Sequence, residues 1–242
     1  MSEIRILPAG DLSLIVEFGN VISTECNDKV MQLNQCIRKD KPVGIVETVP
    51  TFRSLLIYYD PMVISYKKLC KYIRNVSSSN SVSTMKQKKI IEIPVCYGGE
   101  YGEDIGDVAA HTGLGVQELV AAHAGRDYLI YMLGFLPGFP YLGGMDERLN
   151  TPRLANPRTS IPAGSVGIGG EQTGIYPIAS PGGWRLIGRT PLKLYDSERE
   201  NPTLYQAGDY IRFRPVGVEE YLSIEEAVKQ RIYQCKVIME DM

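Results

Sequence analysis

Polar side chains that could do chemistry lie between residues 123 and 189 of this sequence, among glycines and prolines. They are a histidine, His123, a glutamine, Gln172, and an arginine, Arg189. An imidazole can transfer a proton near neutral pH, a carboxamide both donates and accepts hydrogen bonds, and a guanidinium binds carboxylates and phosphates bidentately. Together these groups suit a small amide that carries or acquires negative charge, so they are the candidate catalytic residues. We expect them to converge with Trp184 on one cleft, because barrel loops can gather distant segments at one end of a domain.

His123 also has a purely structural interpretation. It follows Val116, Leu119 and Val120 by seven, four and three residues, which places it on their helical face as a core residue. In the functional interpretation its imidazole emerges at a helix end, because Gly125 follows. Arginines near the glycine segments also have a structural and a functional interpretation. Most arginines are solvated surface residues, and we expect one or two of these to contact a ligand. These arginines are Arg153, Arg158, Arg185 and Arg189.

Aromatic side chains stand among the glycines. Twelve of the 24 glycines fall between Gly134 and Gly188, and glycine and proline alone would make these segments the corners of a barrel. Turns do not require aromatic residues, whereas stiff loops edged with aromatic rings form a wall for a small flat ligand. The candidate substrate-binding residues are Phe135, Pro137, Gly138, Phe139, Tyr141, Arg158, Tyr176, Pro181, Gly182, Gly183 and Trp184.

Familiar nucleotide and nucleophile motifs are absent from the sequence. Gly167-x-Gly169-Gly170 fails as a dinucleotide fingerprint, since Gln172 stands where the third glycine would fall and no βαβ pattern surrounds it. There is no P-loop and no G-x-S-x-G nucleophile elbow. With two histidines and no C-x-x-C pair we expect no transition-metal site, whereas Mg²⁺ held by carboxylates and phosphate oxygens stays open.

Composition indicates an ordinary globular protein that works in the cytoplasm. The chain has 242 residues, 44% of them hydrophobic, and a formal net charge of −2, so its overall charge favours neither nucleic acid nor an anionic membrane. No apolar run approaches the roughly 20 residues of a membrane helix, and the N-terminal residues lack the pattern of a signal peptide. Five scattered cysteines are typical of a reducing compartment.

The first 80 residues predict a small α/β domain that would precede the candidate site. The order of its elements is strand, helix, strand, strand, helix, which predicts a ferredoxin-like α/β sandwich over residues 1–80. The helices are predicted from apolar spacings of three and four residues, with Ser65 as a cap of the second. The predicted elements are Leu12–Phe18, Thr24–Lys39, Gly44–Val49, Ser54–Tyr59 and a helix after Ser65.

Residues 81–242 predict a second, β-rich domain that would position the site. The Ser-rich stretch Ser77–Thr84 predicts the linker between the domains. Ile90–Val95 is a predicted strand, and two short helices broken at Gly113 are predicted within Asp104–Ala124. The short apolar runs that follow, separated by turn residues, predict a β-barrel or sandwich. Ser223–Ile238 is a predicted closing helix, with Ser223 as its cap.

Short segments spread over most of the chain carry a family likeness. They are Pro8–Asp11, Val16–Gly19, Val49–Ser54, Gly134–Gly144, Pro162–Val166, Gln172–Pro177, Ser180–Trp184 and Gly188–Pro191. In these segments the sequence resembles a known bacterial family, labelled variously as the B subunit of 5-oxoprolinase, as allophanate hydrolase subunit 1 and as KipI. One departure is Gly167-Ile168-Gly169, where relatives often have alanines.

The resemblance implies a fold and a set of partners. The fold would be an N-terminal α/β domain followed by a cyclophilin-like β-barrel, without the prolyl isomerase activity of cyclophilins. The partners would be a homologous C subunit, which together with the B subunit resembles the carboxyltransferase domain of urea carboxylase, and a separate A subunit. Self-association through the first domain is a further expectation, and no nucleic acid or membrane partner is expected.

The reaction implied by the resemblance is the hydrolysis of 5-oxo-L-proline to L-glutamate, driven by ATP. ATP would be a co-substrate accompanied by Mg²⁺, with no tightly bound cofactor, and the chain would be inactive alone because it lacks a complete nucleotide or nucleophile motif. The alternative is a KipI-type inhibitor that grips a sensor histidine kinase and blocks its autophosphorylation. Allophanate hydrolase subunit 1 is the lesser alternative, because the amidase serines are absent.

Overall fold

The computed structural model describes residues 4–21, 23–78 and 87–241, which form two compact units of mixed α and β structure. The first unit lies within residues 4–78 and the second within residues 87–241. The predicted domain boundary after residue 80, and the predicted linker beyond Ser78, lie outside the described residues. Among the described residues no helix is long and apolar enough to span a membrane.

The first unit is one antiparallel sheet with two helices. Its strands lie in the order β1-β2-β4-β3, so the two central strands carry the side chains with least exposure, such as Leu14 and Ile57. The elements are β1 (Arg5–Pro8), β2 (Ser13–Glu17), α1 (Thr24–Asp40), β3 (Ile45–Pro50), β4 (Ser54–Tyr59) and α2 (Tyr66–Ser78).

Helix α1 shows why this unit could be predicted from sequence. The Ser23 hydroxyl accepts a hydrogen bond from the backbone N–H of Cys26 and so caps the helix. Val30, Leu33 and Ile37 are buried at the predicted spacing of three and four residues. The predicted helix is confirmed, one residue longer than expected.

The second unit contains most of the strands. Its strands are β5 (Gln87–Tyr97), β6 (Asp127–Leu133), β7 (Pro140–Gly143), β8 (Arg158–Ile161), β9 (Ser165–Gly169), β10 (Gln172–Ile175), β11 (Ser180–Gly182), β12 (Arg185–Arg189), β13 (Tyr210–Pro215) and β14 (Val237–Asp241). Its α-helices are α3 (Ile105–Thr112), α4 (Val116–Ala124) and α5 (Val218–Lys229). The predicted break at Gly113 is confirmed, since that residue ends α3 with a left-handed φ of 72°.

One large sheet of the second unit nearly closes on itself. Its strand order is β10-β9-β12-β5-β13-β6-β7, and β14 also pairs with β5. The two edge strands, β10 and β7, approach each other, which gives the sheet its barrel-like form. Strands β8 and β11 form a separate small sheet. The interior is filled by aliphatic and aromatic side chains such as Ile93, Ile130 and Phe213, each contributing about 1.5–3 kcal/mol by burial.

An ion-pair network joins four strands at one end of this sheet. Asp127 accepts two hydrogen bonds from the Arg212 guanidinium, at 2.6 and 2.8 Å, and one from Lys88. Glu240, on β14, pairs with both cations. The network therefore ties β5, β6, β13 and β14 together. The Arg212 hydrogen bonds are the main reason that the pKa of Asp127 is lowered from its usual value.

The predicted closing helix from Ser223 to Ile238 is wrong at both ends. Helix α5 begins at Val218, after Gly217, because Tyr221 and Ile224 must both face the core. It ends at Lys229, and Arg231 then adopts a left-handed φ of 60° that a helix cannot continue. The predicted end of the helix, Ile238, instead lies in β14, which pairs antiparallel with β5.

Candidate functional site

Aromatic side chains from separate loops and strands of the second unit meet around Phe139. The Phe139 ring lies 5.7 Å from that of Trp184 and 5.5 Å from that of Tyr176, both edge to face. Tyr141 and Phe135 make further edge contacts with Phe139, at 5.3 and 5.7 Å. Such pairs add about 0.5–1.5 kcal/mol each beyond buried area, so they hold the irregular loops rigidly.

Glycines of β9 and β10 make room for the indole of Trp184. A β-carbon on Gly169 would lie 2.5 Å from the indole nitrogen, and one on Gly174 would lie 2.9 Å from the ring. Gly182 has the same function for Tyr176, whose hydroxyl would be 2.5 Å from an added β-carbon. These glycines therefore serve close packing of aromatic rings, and neither Gly169 nor Gly174 has a positive φ.

The aromatic residues line a cleft of about 130 Å³. A water molecule occupies roughly 30 Å³ of liquid, so the cleft has room for a small ring compound and not for a nucleotide. Gly182 and Gly183 form part of its wall, which exposes backbone at the edge of the cleft. The lining residues are Phe135, Phe139, Tyr141, Arg153, Tyr176, Gly182, Gly183 and Trp184.

Arg153 supplies the positive charge of this cleft. Its guanidinium carbon lies 5.6 Å from the centre of the Trp184 ring, within the range of a cation–π contact. Among the described residues no carboxylate forms an ion pair with Arg153, which leaves its hydrogen-bond donors available to a ligand. The cleft thus combines flat apolar walls with one cation, which suits a small ring that carries a carboxylate.

His123 lies elsewhere, fully buried in the core of the second unit. Its Nδ1 is 2.8 Å from the Tyr97 hydroxyl and its Nε2 is 2.8 Å from Thr173 Oγ1. The Thr173 hydroxyl donates to the carbonyl of Gly167 at 3.1 Å, so it must accept from Nε2. The Tyr97 hydroxyl then donates to Nδ1. This chain of hydrogen bonds requires a neutral imidazole with its proton on Nε2.

The prediction that His123 shares one cleft with Gln172, Trp184 and Arg189 is wrong. Burial lowers the pKa of His123 to about 3, with a smaller contribution from the charge of Arg126. Its ring packs against aromatic core residues, so the core interpretation left open by the sequence fits the structure. The spacing that places His123 on one helical face with apolar residues therefore predicted its environment better than its position at a helix end.

Gln172 and Arg189 do not line the aromatic cleft. Gln172 is half-buried as the first residue of β10, where it pairs with Gly169. The Arg189 guanidinium lies 5.8 Å from the centre of the Tyr101 ring and donates a long hydrogen bond to the carbonyl of Glu100. Both side chains therefore lack the direct contact with the cleft that the sequence suggested.

Arg158, predicted to bind substrate, forms ion pairs within the protein. Its Nη2 donates to Asp104 at 2.8 Å and its Nε lies 3.0 Å from Glu103. The other Asp104 oxygen accepts from the backbone N–H of Leu186, so Arg158 and Asp104 join β8 to β12. Arg185 is likewise paired, with Asp107.

The remaining predicted binding residues lie near the cleft without lining it. Pro137 is exposed on a turn, and Pro181 is exposed in the middle of β11. Gly138 is buried with a left-handed φ of 77°, and its carbonyl accepts a hydrogen bond from Tyr205. These three residues therefore shape the loops and do not form the wall itself.

One residue of the cleft and the hydrogen-bond partners of the buried histidine were not predicted as such from the sequence. Arg153 was one of four equivalent arginines, and its only distinguishing signal is the run of glycine and aromatic segments on both sides of it. Tyr97 and Thr173 gave no signal, because they are separated from His123 by 26 and 50 residues. The described residues contain no group of three or more side chains that could hold a metal ion.

Comparison with known protein families gives one match over most of the chain. Residues 4–205 match the family model described as carboxyltransferase domain, subdomain C and D. A 5-oxoprolinase B subunit of Bacillus subtilis is 41% identical over 233 residues, covering 92% of this chain and 97% of that protein. A protein of the same name from Haemophilus influenzae is 47% identical over 175 residues, which are 72% of this chain and 81% of that protein.

Solved structures share the fold. The protein TTHA0988 is 35% identical with a TM-score of 0.75, and the match covers 86% of this chain and 40% of that protein. This chain therefore spans about two fifths of its length. The uncharacterized protein PH0987 of Pyrococcus horikoshii is 47% identical with a TM-score of 0.54, covering 90% and 100% of the two chains. The urea amidolyase of K. lactis, at 23% identity and a TM-score of 0.78, shares the fold over 99% of this chain and 16% of its own.

Proposed function

Because the chain belongs to the carboxyltransferase subdomain C and D family, we propose that it is the B subunit of an ATP-dependent 5-oxoprolinase. The observation that carries this proposal is that relatives named as the 5-oxoprolinase B subunit are 40–47% identical to it over most of its length. The aromatic cleft with its single arginine supports the proposal, since 5-oxoproline is a small flat lactam that bears one carboxylate.

The chemistry explains why ATP is needed as co-substrate. An unstrained five-membered lactam resists hydrolysis. In the proposed reaction its carbonyl oxygen attacks the γ-phosphorus of ATP, the bond to the β–γ bridging oxygen breaks, and ADP leaves with the electron pair while the lactam N–H proton goes to solvent. Two molecules of water are then consumed as the ring C–N bond and the phosphate ester break, giving L-glutamate and inorganic phosphate.

The cleft suggests how the chain would hold the lactam. The ring would lie against the Trp184 and Tyr176 side chains, which contact each other edge to face and are fixed by Phe139 and by the glycines behind them. The substrate carboxylate would pair with Arg153, because a charge-assisted bidentate contact is the strongest available in this cleft. Backbone at Gly182 and Gly183 is near enough to the cleft to meet the lactam amide.

His123 has a positioning role in this proposal. It holds Thr173 on β10, next to Gly174, which packs against the Trp184 ring. Thr173 in turn binds the carbonyl of Gly167 on β9. The buried chain of hydrogen bonds thus fixes the two strands against which the Trp184 ring packs.

The proposal extends to partners and location. The name of the relatives implies other subunits, and we propose a homologous C subunit and an A subunit as partners, with the chain inactive on its own. A cytoplasmic location is part of the proposal, and its support is that the five cysteine thiols are free.

The finer fold assignment is also a proposal. The first sheet has the strand order of a ferredoxin-like sandwich, except that an edge strand comes from the start of the unit and not from its end. The nearly closed sheet of the second unit supports a cyclophilin-like barrel.

Co-expression with candidate C and A subunits tests the function. The purified complex should release ADP and glutamate in equal amounts, and only when both 5-oxoproline and ATP are present. A complex without this activity would contradict the proposal, as would turnover of about 1 s⁻¹ or more by this chain alone.

A further inference from the structure

A second and larger depression lies in the same unit, between helix α5 and the connection from β12 to β13. Its volume is about 740 Å³, within the range of sites that hold nucleotide-sized ligands. Its apolar lining includes Pro177, Leu192, Leu204 and Val228. We call this depression the α5 groove.

Charged side chains of both signs line the α5 groove. The cations are Lys193, Arg199, Lys229 and Arg231, and the carboxylates are Asp196, Glu198 and Glu225. Most of them form ion pairs with each other, such as Lys193 with Asp196 at 3.0 Å and Lys229 with Glu225 at 2.8 Å. Of these pairs, Arg231 with Glu198 is exposed on both sides, so it adds little stability and exchanges readily for a better partner, whereas the Asp196 carboxylate is buried.

Arg199 is the least satisfied of these cations. Its Nη2 donates to the carbonyl of Lys193 at 2.8 Å, whereas its Nε is 3.9 Å from Asp196. Its Nη1 is buried and has no hydrogen-bond acceptor among the described residues. A buried donor without a partner is unusual in a protein, and a ligand in the groove would supply the acceptor.

The α5 groove is next to the aromatic cleft. Tyr176 lines the cleft and Pro177, the following residue, lines the groove. Their Cα atoms are therefore separated by one peptide unit, about 3.8 Å. Ligands in the two depressions would therefore both contact this short segment.

We propose that the α5 groove binds a Mg²⁺-bound nucleoside triphosphate. Arg199, Lys193 and Arg231 are placed to bind its phosphates, and the neighbouring carboxylates suit the hydrated Mg²⁺ that a triphosphate carries. The aromatic cleft is too small for this ligand, whereas the groove is adjacent and large enough. The identity of the nucleotide as ATP rests on the proposed function.

Calorimetric titration of the full chain with Mg-ATP, and separately with Mg²⁺ and inorganic tripolyphosphate, tests the site. We expect saturable Mg-ATP binding that Arg199→Gln and Arg231→Gln each weaken about tenfold. Lys236→Gln is the matched control, because Lys236 is exposed and pairs with Glu92 outside the groove. The proposal is overturned if binding does not saturate by about 10 mM Mg-ATP, a concentration above the dissociation constant of a weak, millimolar site. Equal affinity of all variants overturns it too. If Arg199→Gln does not fold, the exposed Arg231 still decides the outcome.

Kinetics of the assembled complex separate this proposal from the proposed function. The groove variants should raise KM for ATP about tenfold and leave KM for 5-oxoproline unchanged. Unchanged kinetics in an active complex overturn the groove proposal alone. Dissociation of the complex by these variants, seen by size-exclusion chromatography, would make the groove an interface with another subunit and also overturn it. A wild-type complex without 5-oxoproline turnover contradicts the proposed function, whatever the titrations show.

Discussion

The indole of Trp184 lies so close to Gly169 that a β-carbon on this glycine would be 2.5 Å from the indole nitrogen. Gly169→Ala should therefore push the indole out of its place and cost about 1–3 kcal/mol by overpacking. Trp184 is the single tryptophan, so its emission spectrum reports the displacement directly, and urea unfolding gives the stability. Gly106→Ala is the control, because that glycine has open space around it in α3 and alanine favours helix. An unshifted emission in Gly169→Ala would contradict the packing.

The buried His123 predicts a specific loss of stability in mild acid. Its pKa is about 3 in the folded protein and about 6.5 when unfolded, so only the unfolded chain takes up a proton between these values. The stability that the neutral imidazole provides is complete above pH 6.5 and is lost as the pH falls toward 3. Each pH unit below about 6.5 lowers the free energy of unfolding by about 1.4 kcal/mol, so the loss between pH 7.5 and pH 5 should be about 2 kcal/mol.

Urea unfolding at both pH values measures this loss. His123→Gln should remove most of it, whereas His111→Gln, a change at the exposed histidine, should leave it in place. If His123→Gln does not fold, NMR titration of the wild-type imidazole replaces it, and protonation of His123 near pH 6.5 would refute the buried neutral state.

Arg153 is expected to control affinity for the substrate carboxylate. In the assembled complex Arg153→Gln should lower kcat/KM for 5-oxoproline by about 10- to 100-fold, which corresponds to about 1.5–3 kcal/mol for a hydrogen bond to a charged group. The change should appear mainly as a higher KM. Arg148→Gln is the control, since Arg148 is exposed and pairs with Asp146 away from the cleft. Equal kinetics of the two variants would show that the cleft does not bind the carboxylate.

Asp127 is expected to stabilise the end of the large sheet. Asp127→Asn should cost about 2–3 kcal/mol at pH 7, because it weakens charge-assisted bonds to Arg212 and Lys88 at a site with 13% side-chain exposure. The folded-state pKa of Asp127 is lowered, so its contribution is present above about pH 4 and is lost as the pH falls further. Asp107→Asn, which breaks an exposed pair with Arg185, should cost less than about 1 kcal/mol in the same urea experiment.

Local patterns were sufficient for the first unit. Helix α1 has its cap, its apolar spacing and its last turn within one continuous segment, and the structure agrees with each. At the other end of the chain the same signals misled, because Ser223 followed by two glutamates is typical of a helix start. Tyr221 and Ile224 both pack inward, so tertiary contacts extended the helix backward past that signal.

The sequence predicted which types of residue form the candidate site, but it did not predict which individual polar residues meet there. Aromatic residues in glycine-rich loops predicted a rigid wall, and the five rings do meet. Which arginine joins them depends on how segments 12 to 31 residues away in sequence approach each other, and no local pattern of Arg153 contains that information. His123 shows the same limit, because its hydrogen-bond partners lie on strands distant in sequence.

Strand β5 lies near the middle of the large sheet, yet all of its hydrogen-bonded neighbours come much later in the chain. Ile90, for example, pairs with Tyr210 on one side and Ile238 on the other. During synthesis this apolar strand leaves the ribosome long before it can be paired, and its open edges can attract other chains meanwhile. Such distant pairing slows folding to milliseconds or longer, which stopped-flow fluorescence of Trp184 would measure. The position of one strand therefore leaves the second unit open to association with other chains until its C-terminal strands have been made.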